Sequence, residues 1–174
     1  AVCDTSTTRA SETAATFAIP KIHHSIVDLA SDTDVDSVHI LLPPDLHFSA
    51  ANLLLNAGKH VFLEKPMCLE ETECRELVSL AEEHRVRLGV GHNFLSHRAY
   101  EPLRRNVQAG VLGWIDRISI VWHKELPQLR HGPFGIWMVR QPENVLLEVG
   151  SHAFATLLDL TEFPSRIEGR AANG

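Results

Sequence analysis

Two places in this chain carry residues whose types and spacing could do chemistry. The first is Glu64-Lys65-Pro66, which follows the apolar run Val61–Leu63. A lysine at the carboxyl edge of a parallel strand can hydrogen-bond a substrate hydroxyl and stabilise a developing alkoxide. The bland alternative is a surface lysine paired with Glu64 ahead of a proline-started helix. The second place holds Glu148 and His152, four residues apart, which a helix stacks on one face. A neutral imidazole beside a carboxylate can take a proton from a hydroxyl. The alternative there is a helix-surface ion pair worth a few tenths of a kcal/mol. Gly150, between them, would let the helix approach another element closely. A third candidate is Asp4, at the end of the first strand. An acid at this point can accept hydrogen bonds from ribose hydroxyls and disfavour a 2′-phosphate, or it can cap the helix that comes next.

These residues need elements to hold them. The first 90 or so positions alternate short apolar runs with helix-period segments, the pattern of βαβ units around a parallel sheet. The end of a strand is expected at Ala1–Cys3, and strands at Val38–Leu42, Val61–Leu63 and Arg85–Val90. Val38–Leu42, stopped by Pro43-Pro44, reads as a strand buried on both faces. Helices are expected over Thr7–Phe17 (capped by Thr5 or Ser6), Leu46–Ala57 (closed by Gly58) and Glu70–His84. Their inward stripes are Phe48, Ala51 and Leu55 for the second, and Cys74, Leu77 and Ala81 for the third. His39 falls within a strand, His84 at a helix end and His23-His24 in a loop, and all are read as structural. His92 and Asn93 end a strand at the edge where ligands bind.

Beyond residue 92 the pattern changes. Ala99–Ala109 reads as a helix with Tyr100, Leu103 and Val107 inward. Ile118, Ile120 and Trp122 alternate with Ser119, Val121 and His123, as in a longer strand of an open sheet covered on one side. Val145–Leu160 returns to helical period, and Arg166–Ala171 reads as the start of another strand. The expected organisation is a domain over residues 1–92 and a second over 93–174, the latter with too few elements to bury a core alone.

The bulk numbers exclude several classes. With 174 residues, 44% apolar and 22% charged, the chain has an ordinary globular composition. A net charge of -6 without a basic cluster argues against nucleic-acid binding. No run approaches the ~20 apolar residues of a membrane span, and the first residues do not read as a signal peptide. The 3 cysteines (Cys3, Cys68, Cys74) suggest a reducing, cytoplasmic setting, and the 11 scattered histidines form no metal motif.

Within Val35–Pro66 the order Pro43, His47, Ala57-Gly58-Lys59-His60-Val61, Glu64-Lys65-Pro66 resembles the glucose–fructose oxidoreductase / inositol dehydrogenase / MocA family. Gly91-His92-Asn93, Gly110-Val-Leu-Gly113 and Glu148-Val-Gly150-Ser-His152 continue the resemblance over nearly the whole chain. It implies a Rossmann-like α/β parallel sheet lacking its first βα unit, followed by the beginning of an α+β domain with an open, mainly antiparallel sheet. The family's Gly-x-Gly-x-x-Gly turn has no counterpart here, so the chain is expected to start inside a cofactor domain and to stop early in a substrate domain. Such a piece is expected to hold NAD(P) weakly, because the pyrophosphate lacks its backbone donors.

The resemblance further implies a hydride-transfer oxidoreductase using NAD, with NADP possible, on a secondary alcohol or ketone of a sugar or cyclitol. It assigns catalysis to Lys65, His152 and Glu148, and cofactor contacts to Asp4, Leu42, Pro43, His47, Glu64, Lys65 and Asn93. It also implies a cis Lys65–Pro66 bond and a homo-oligomer at full length, with no metal, nucleic-acid or membrane partner. The family pattern often has Asp at the positions of Glu148 and Ala155. A non-catalytic protein of the same fold that senses a nucleotide or sugar is the alternative reading.

Overall fold

The structure is a computed structural model and describes residues 1–121, 125, 127–132, 136–161, 163–166 and 168. It divides into two compact units, Ala1–Gly91 and His92–Gly174.

The first unit alternates strand and helix: β1 (Val2–Cys3), α1 (Thr7–Phe17), β2 (Ile22–His23), α2 (Ile26–Ser31), β3 (Ser37–Ile40), α3 (His47–Asn56), β4 (His60–Leu63), α4 (Glu71–Glu83) and β5 (Leu88–Val90). All strand pairs are parallel and fall into a two-stranded sheet, β1-β2, and a three-stranded sheet, β3-β4-β5. This is the expected Rossmann-like α/β arrangement. Side-chain caps start two of the helices: Ser6 Oγ accepts from the Arg9 N–H at 3.4 Å, and Ser25 Oγ from Val27 N–H at 3.1 Å. Before α3, a 3-10 turn over Pro44–Leu46 carries the chain from strand to helix.

Leu54 and Leu55 of α3, Leu63 of β4 and Leu77 of α4 are fully buried and form the centre of the core. Each such side chain contributes about 1.5–3 kcal/mol by leaving water. The expectation that β3 is buried on both faces is not met. Ile40, Val61 and Leu63 are buried, while Ser37, His39, His60 and Phe62 are exposed. The reason is the crossovers: right-handed β3-α3-β4 and β4-α4-β5 units put both helices on the same face, and they pack on one another there. Leu41 and Leu42 stand beyond the strand's end and are exposed.

Strand β5 is also shorter than its apolar alternation suggests. The Val86 N–H donates to Ala81 O at 3.0 Å and Arg85 takes a left-handed φ of 54°, so residues 85 and 86 close α4 instead of opening the strand. His23 lies in β2, not in a loop.

A polar cluster ties the β2-α2-β3 connection. The Asp32 carboxylate accepts from Lys21 Nζ at 3.0 Å and from the Asp34 N–H at 3.0 Å, and faces His23 Nε2 at 2.9 Å. Lys59 Nζ donates to Asp32 O at 2.7 Å.

The second unit's described elements are helical: a 3-10 turn over Asn93–Ser96, α5 (Tyr100–Gln108), α6 (Gln128–His131), α7 (Trp137–Arg140) and α8 (Pro142–Leu160). Pro142 occupies the first turn of α8, where its missing N–H is harmless. Trp137 and Met138 are buried, and Asn144 Nδ2 donates to Trp137 O at 2.7 Å. Tyr100 donates to Asp159 Oδ2 at 2.7 Å; burial, and then that carboxylate, push its phenol up. The strand expected around Ile118–His123 is not found among the described residues: 118–121 form no ladder, and Trp122 and His123 lie outside them. A strand needs a partner, and the described residues supply none. Of Arg166–Ala171, the described Arg166 and Glu168 carry no strand, and the rest lie outside the described residues. Among the described residues no helix is long and apolar enough to cross a membrane.

The Asp32 cluster predicts an acid response. Lys21, and then the Asp34 N–H, hold the carboxyl at about 2. A depressed folded value stabilises the fold above the ordinary carboxylate range and loses that contribution as pH falls from about 4 towards 2. Thermal melts should therefore show Asp32→Asn less stable than the unaltered chain near pH 5 and close to it near pH 2. An equal difference at both pH values would remove this carboxylate from the acid response.

Candidate active site

Because every strand of the first unit is parallel, the candidate residues after each strand belong to carboxyl ends. Asp4 follows β1, Leu42 and Pro43 follow β3, Glu64 and Lys65 follow β4, and Asn93 comes shortly after β5. Backbone bonds seat the middle of this edge: the Glu64 N–H donates to Ile40 O at 3.2 Å and the Gly91 N–H to Leu63 O at 2.7 Å.

Glu64 is the centre of a small polar group. Its Oε1 stands 3.4 Å from His39 Nε2, with both side chains half-exposed. His39 in turn meets Phe62 edge-on, ring centroids 4.9 Å apart. Gly91 makes room for the carboxylate, since a Cβ there would lie 3.3 Å from Glu64 Oε2 and 3.3 Å from Leu63 O. The sequence does not mark His39 as the neighbour of Glu64. Its signal is the strand register, which sets His39 beside Phe62 and cannot be read before the pairing is known. Lys65 comes next, half-buried, and the Lys65–Pro66 peptide is cis as the resemblance implied.

His47 takes a different position from one open to a cofactor. It is 0% exposed, with Nδ1 2.8 Å from Pro66 O and Nε2 2.7 Å from Leu42 O. Leu42 and Pro43 themselves are exposed and apolar.

Asp4 serves the start of α1. Its Oδ1 accepts from the Ser6 N–H at 2.8 Å, which organises the start of α1, and from Arg9 Nη2 at 2.7 Å; its Oδ2 accepts from Arg9 Nε at 2.9 Å. These bonds, Arg9 first, hold the carboxyl below its usual range. Oδ2 keeps room for one more donor, such as a ribose hydroxyl. Arg9, which no sequence motif marks, is the cation beside it.

In the second unit His152 is buried on α8 and meets Phe94 edge-on at 4.5 Å between centroids. The helix places half-buried Glu148 one turn earlier. Ser151, between Gly150 and His152, buries an Oγ that has no hydrogen-bond partner among the described residues. Only its place in Glu-Val-Gly-Ser-His marks it in the sequence. Within its own unit, Gly150 is surrounded by side chains of α8. The nearest atoms a Cβ would meet belong to its own helix, Leu146 Cδ1 at 3.3 Å and Phe154 Cε2 at 3.8 Å. Neighbouring turns fill that space. Asn93 is exposed at the start of its 3-10 turn.

With this geometry in view, comparison with known proteins is informative. Residues 1–92 match the oxidoreductase family with an NAD-binding Rossmann fold denoted GFO_IDH_MocA. The chain is 30% identical over 156 residues to 1,5-anhydro-D-fructose reductase of Ensifer adhaerens, covering 88% of this chain and 46% of that protein. It is 24% identical over 163 residues to an NADP(+) scyllo-inositol 2-dehydrogenase of Bacillus subtilis, covering 92% and 44% respectively. Among solved structures, an oxidoreductase from Klebsiella pneumoniae superposes with a TM-score of 0.73 at 28% identity, covering 94% of this chain and 42% of the other. The chain thus spans about half the length of the curated relatives it matches.

The surroundings of Gly150 predict a stability effect. Gly150→Ala adds helix propensity, while the tip of Leu146 shifts by a few tenths of an ångström to admit the methyl. The unfolding free energy should rise by about 0.5–1 kcal/mol in chemical denaturation. A loss of that size would assign a close-approach role to this glycine.

Proposed function

This chain belongs to the Gfo/Idh/MocA oxidoreductase family, and on that premise we propose that its protein transfers hydride between a nicotinamide cofactor and a secondary alcohol or ketone of a sugar or cyclitol. The observation that carries the reading is the placement of Glu64-Lys65 at the carboxyl end of β4, the middle strand of the β3-β4-β5 sheet. That is the edge at which open α/β sheets bind ligands. The names of the Ensifer and Bacillus relatives, a 1,5-anhydro-D-fructose reductase and a scyllo-inositol 2-dehydrogenase, fit the same substrate class.

The residues present fit a nicotinamide dinucleotide. Exposed Leu41 and Leu42 offer an apolar surface to a flat ring, and the free position on Asp4 Oδ2 suits a ribose hydroxyl. Arg9 bears on the choice between NAD and NADP. A lone carboxylate repels a 2′-phosphate, whereas an arginine beside it supplies a matching fork. We assign NAD to this site, with discrimination against NADP smaller than an unpaired aspartate would give. Hydride acceptance and donation are the chemistry the nicotinamide supplies when bound.

The protein's own residues handle the oxygen and its proton. Lys65 donates a hydrogen bond to the reacting oxygen and stabilises the charge that grows there. His152 takes the hydroxyl proton in oxidation and returns it in reduction, and Glu148 orients the imidazole. Asn93 and Pro43 line the cofactor side. Glu64, beside His39, fixes the backbone from which Lys65 projects. Ala155, where an acid is frequent in this family, keeps a sensing role open as the second reading.

A panel of sugars and cyclitols, followed by nicotinamide absorbance in the protein that carries this sequence, tests the reading. Lys65→Met should lower turnover by about 100-fold or more while leaving most cofactor binding. Lys65→Met and His152→Ala should be strongly non-additive, because both act on one step. Unchanged turnover in Lys65→Met would favour the sensor, and additive losses would place the two residues in separate steps.

A further inference from the structure

His47 is the most completely enclosed polar side chain of the first unit, at 0% exposure. Nothing in the hydride-transfer scheme uses it. Its two ring nitrogens face Pro66 O at 2.8 Å and Leu42 O at 2.7 Å. Both partners are carbonyl oxygens, which only accept. A neutral imidazole carries one N–H and one lone pair, so it can satisfy one carbonyl and must aim its lone pair at the other. A ring with both nitrogens protonated donates to each. The bonded carbonyls lie in the loop after β3, which presents Leu42-Pro43, and in the loop after β4, which presents Glu64-Lys65.

We propose that His47 is a positioning residue, held as an imidazolium, whose two N–H groups tie the Leu42 and Pro66 carbonyls and set the spacing of these loops. The significance of that spacing for Lys65 rests on the function proposed above; the clamp itself does not. Two influences oppose it: the ring is wholly buried, which disfavours its charged form, and His47 is the first residue of α3, where the helix dipole disfavours a cation. What favours the cation is the pair of charge-assisted hydrogen bonds that only a doubly protonated ring can give to two carbonyls. The charged side chains on the segments being joined are Asp45, in the turn before α3, and Glu64 and Lys65, after β4. None of them is among the two groups that the ring nitrogens bond, so the carbonyls alone receive its protons.

The arrangement also explains a coincidence of spacing. His47 follows Leu42 by five positions, and the intervening 3-10 turn brings the ring back over the carbonyl of the strand it has just left. Pro66 comes from 19 residues further on, delivered by β4. A side chain with one donor could fix either loop, but not the distance between them.

The test uses the full 174-residue chain. A long-range nitrogen–proton correlation spectrum at neutral pH should show both His47 ring nitrogens protonated. A neutral tautomer, with one nitrogen bearing a lone pair, overturns the proposal. In His47→Gln, whose amide nitrogen cannot reach both carbonyls, hydrogen exchange at the Leu46 and Glu64 amides should quicken by about tenfold or more. Unchanged protection overturns it as well. If that variant does not fold, the spectrum of the unaltered chain still decides. The two readings fail separately: Lys65→Met with undiminished turnover defeats the hydride-transfer function and leaves the ring's state untouched, while a neutral His47 ring removes the clamp and leaves that function standing.

Discussion

The parallel pairing of β4 between β3 and β5 is the constraint on which the first unit rests. Ile40 beside Leu63, and Leu63 beside Val90, set the register of this sheet. A parallel pair cannot be closed by a tight turn, so each link must run back over the sheet, and here the runs are α3 and α4. They bury Leu54, Leu55 and Leu77 against Leu63. The same pairing sends all three carboxyl ends to one edge. The position of Glu64 and Lys65 is therefore a consequence of packing on the opposite side of β4. The edge is built by the core.

How much of this the sequence reveals depends on the kind of signal. Segments with a strong helical period and a good start are readable: Ser6 before α1, the acidic first turn of α4 and the apolar stripe of α3 give their elements nearly to the residue. Strand extents are less readable, because alternation continues past the last ladder bond. Val86 belongs to the closing turn of α4 although it alternates with Leu88. Helix α7 is too short for any period to mark it, yet it buries Trp137 and Met138.

The site divides along the same line. Glu64, Lys65, Glu148 and His152 can be named because their spacing against local structure is meaningful without tertiary information. The partners that define their surroundings cannot. His39 comes to Glu64 through strand register, Arg9 to Asp4 through the first turn of α1, and Phe94 to His152 through the packing of the second unit. Each relation depends on which elements are neighbours, and that is decided by the fold as a whole.

The motif that most strongly ties the chain to its family contains little chemistry. In Ala57-Gly58-Lys59-His60-Val61, Lys59 is largely buried and gives its ammonium to Asp32 O at 2.7 Å. His60 Nδ1 accepts from the Arg87 N–H at 2.8 Å. Val61 is core. These residues fix where β4 begins, as His47 fixes the loop beyond its end. A buried polar group must have its hydrogen bonds satisfied inside the protein, and the Lys59 ammonium meets that need on the Asp32 carbonyl. Glu64 and Lys65 are only half-buried and retain access to a ligand.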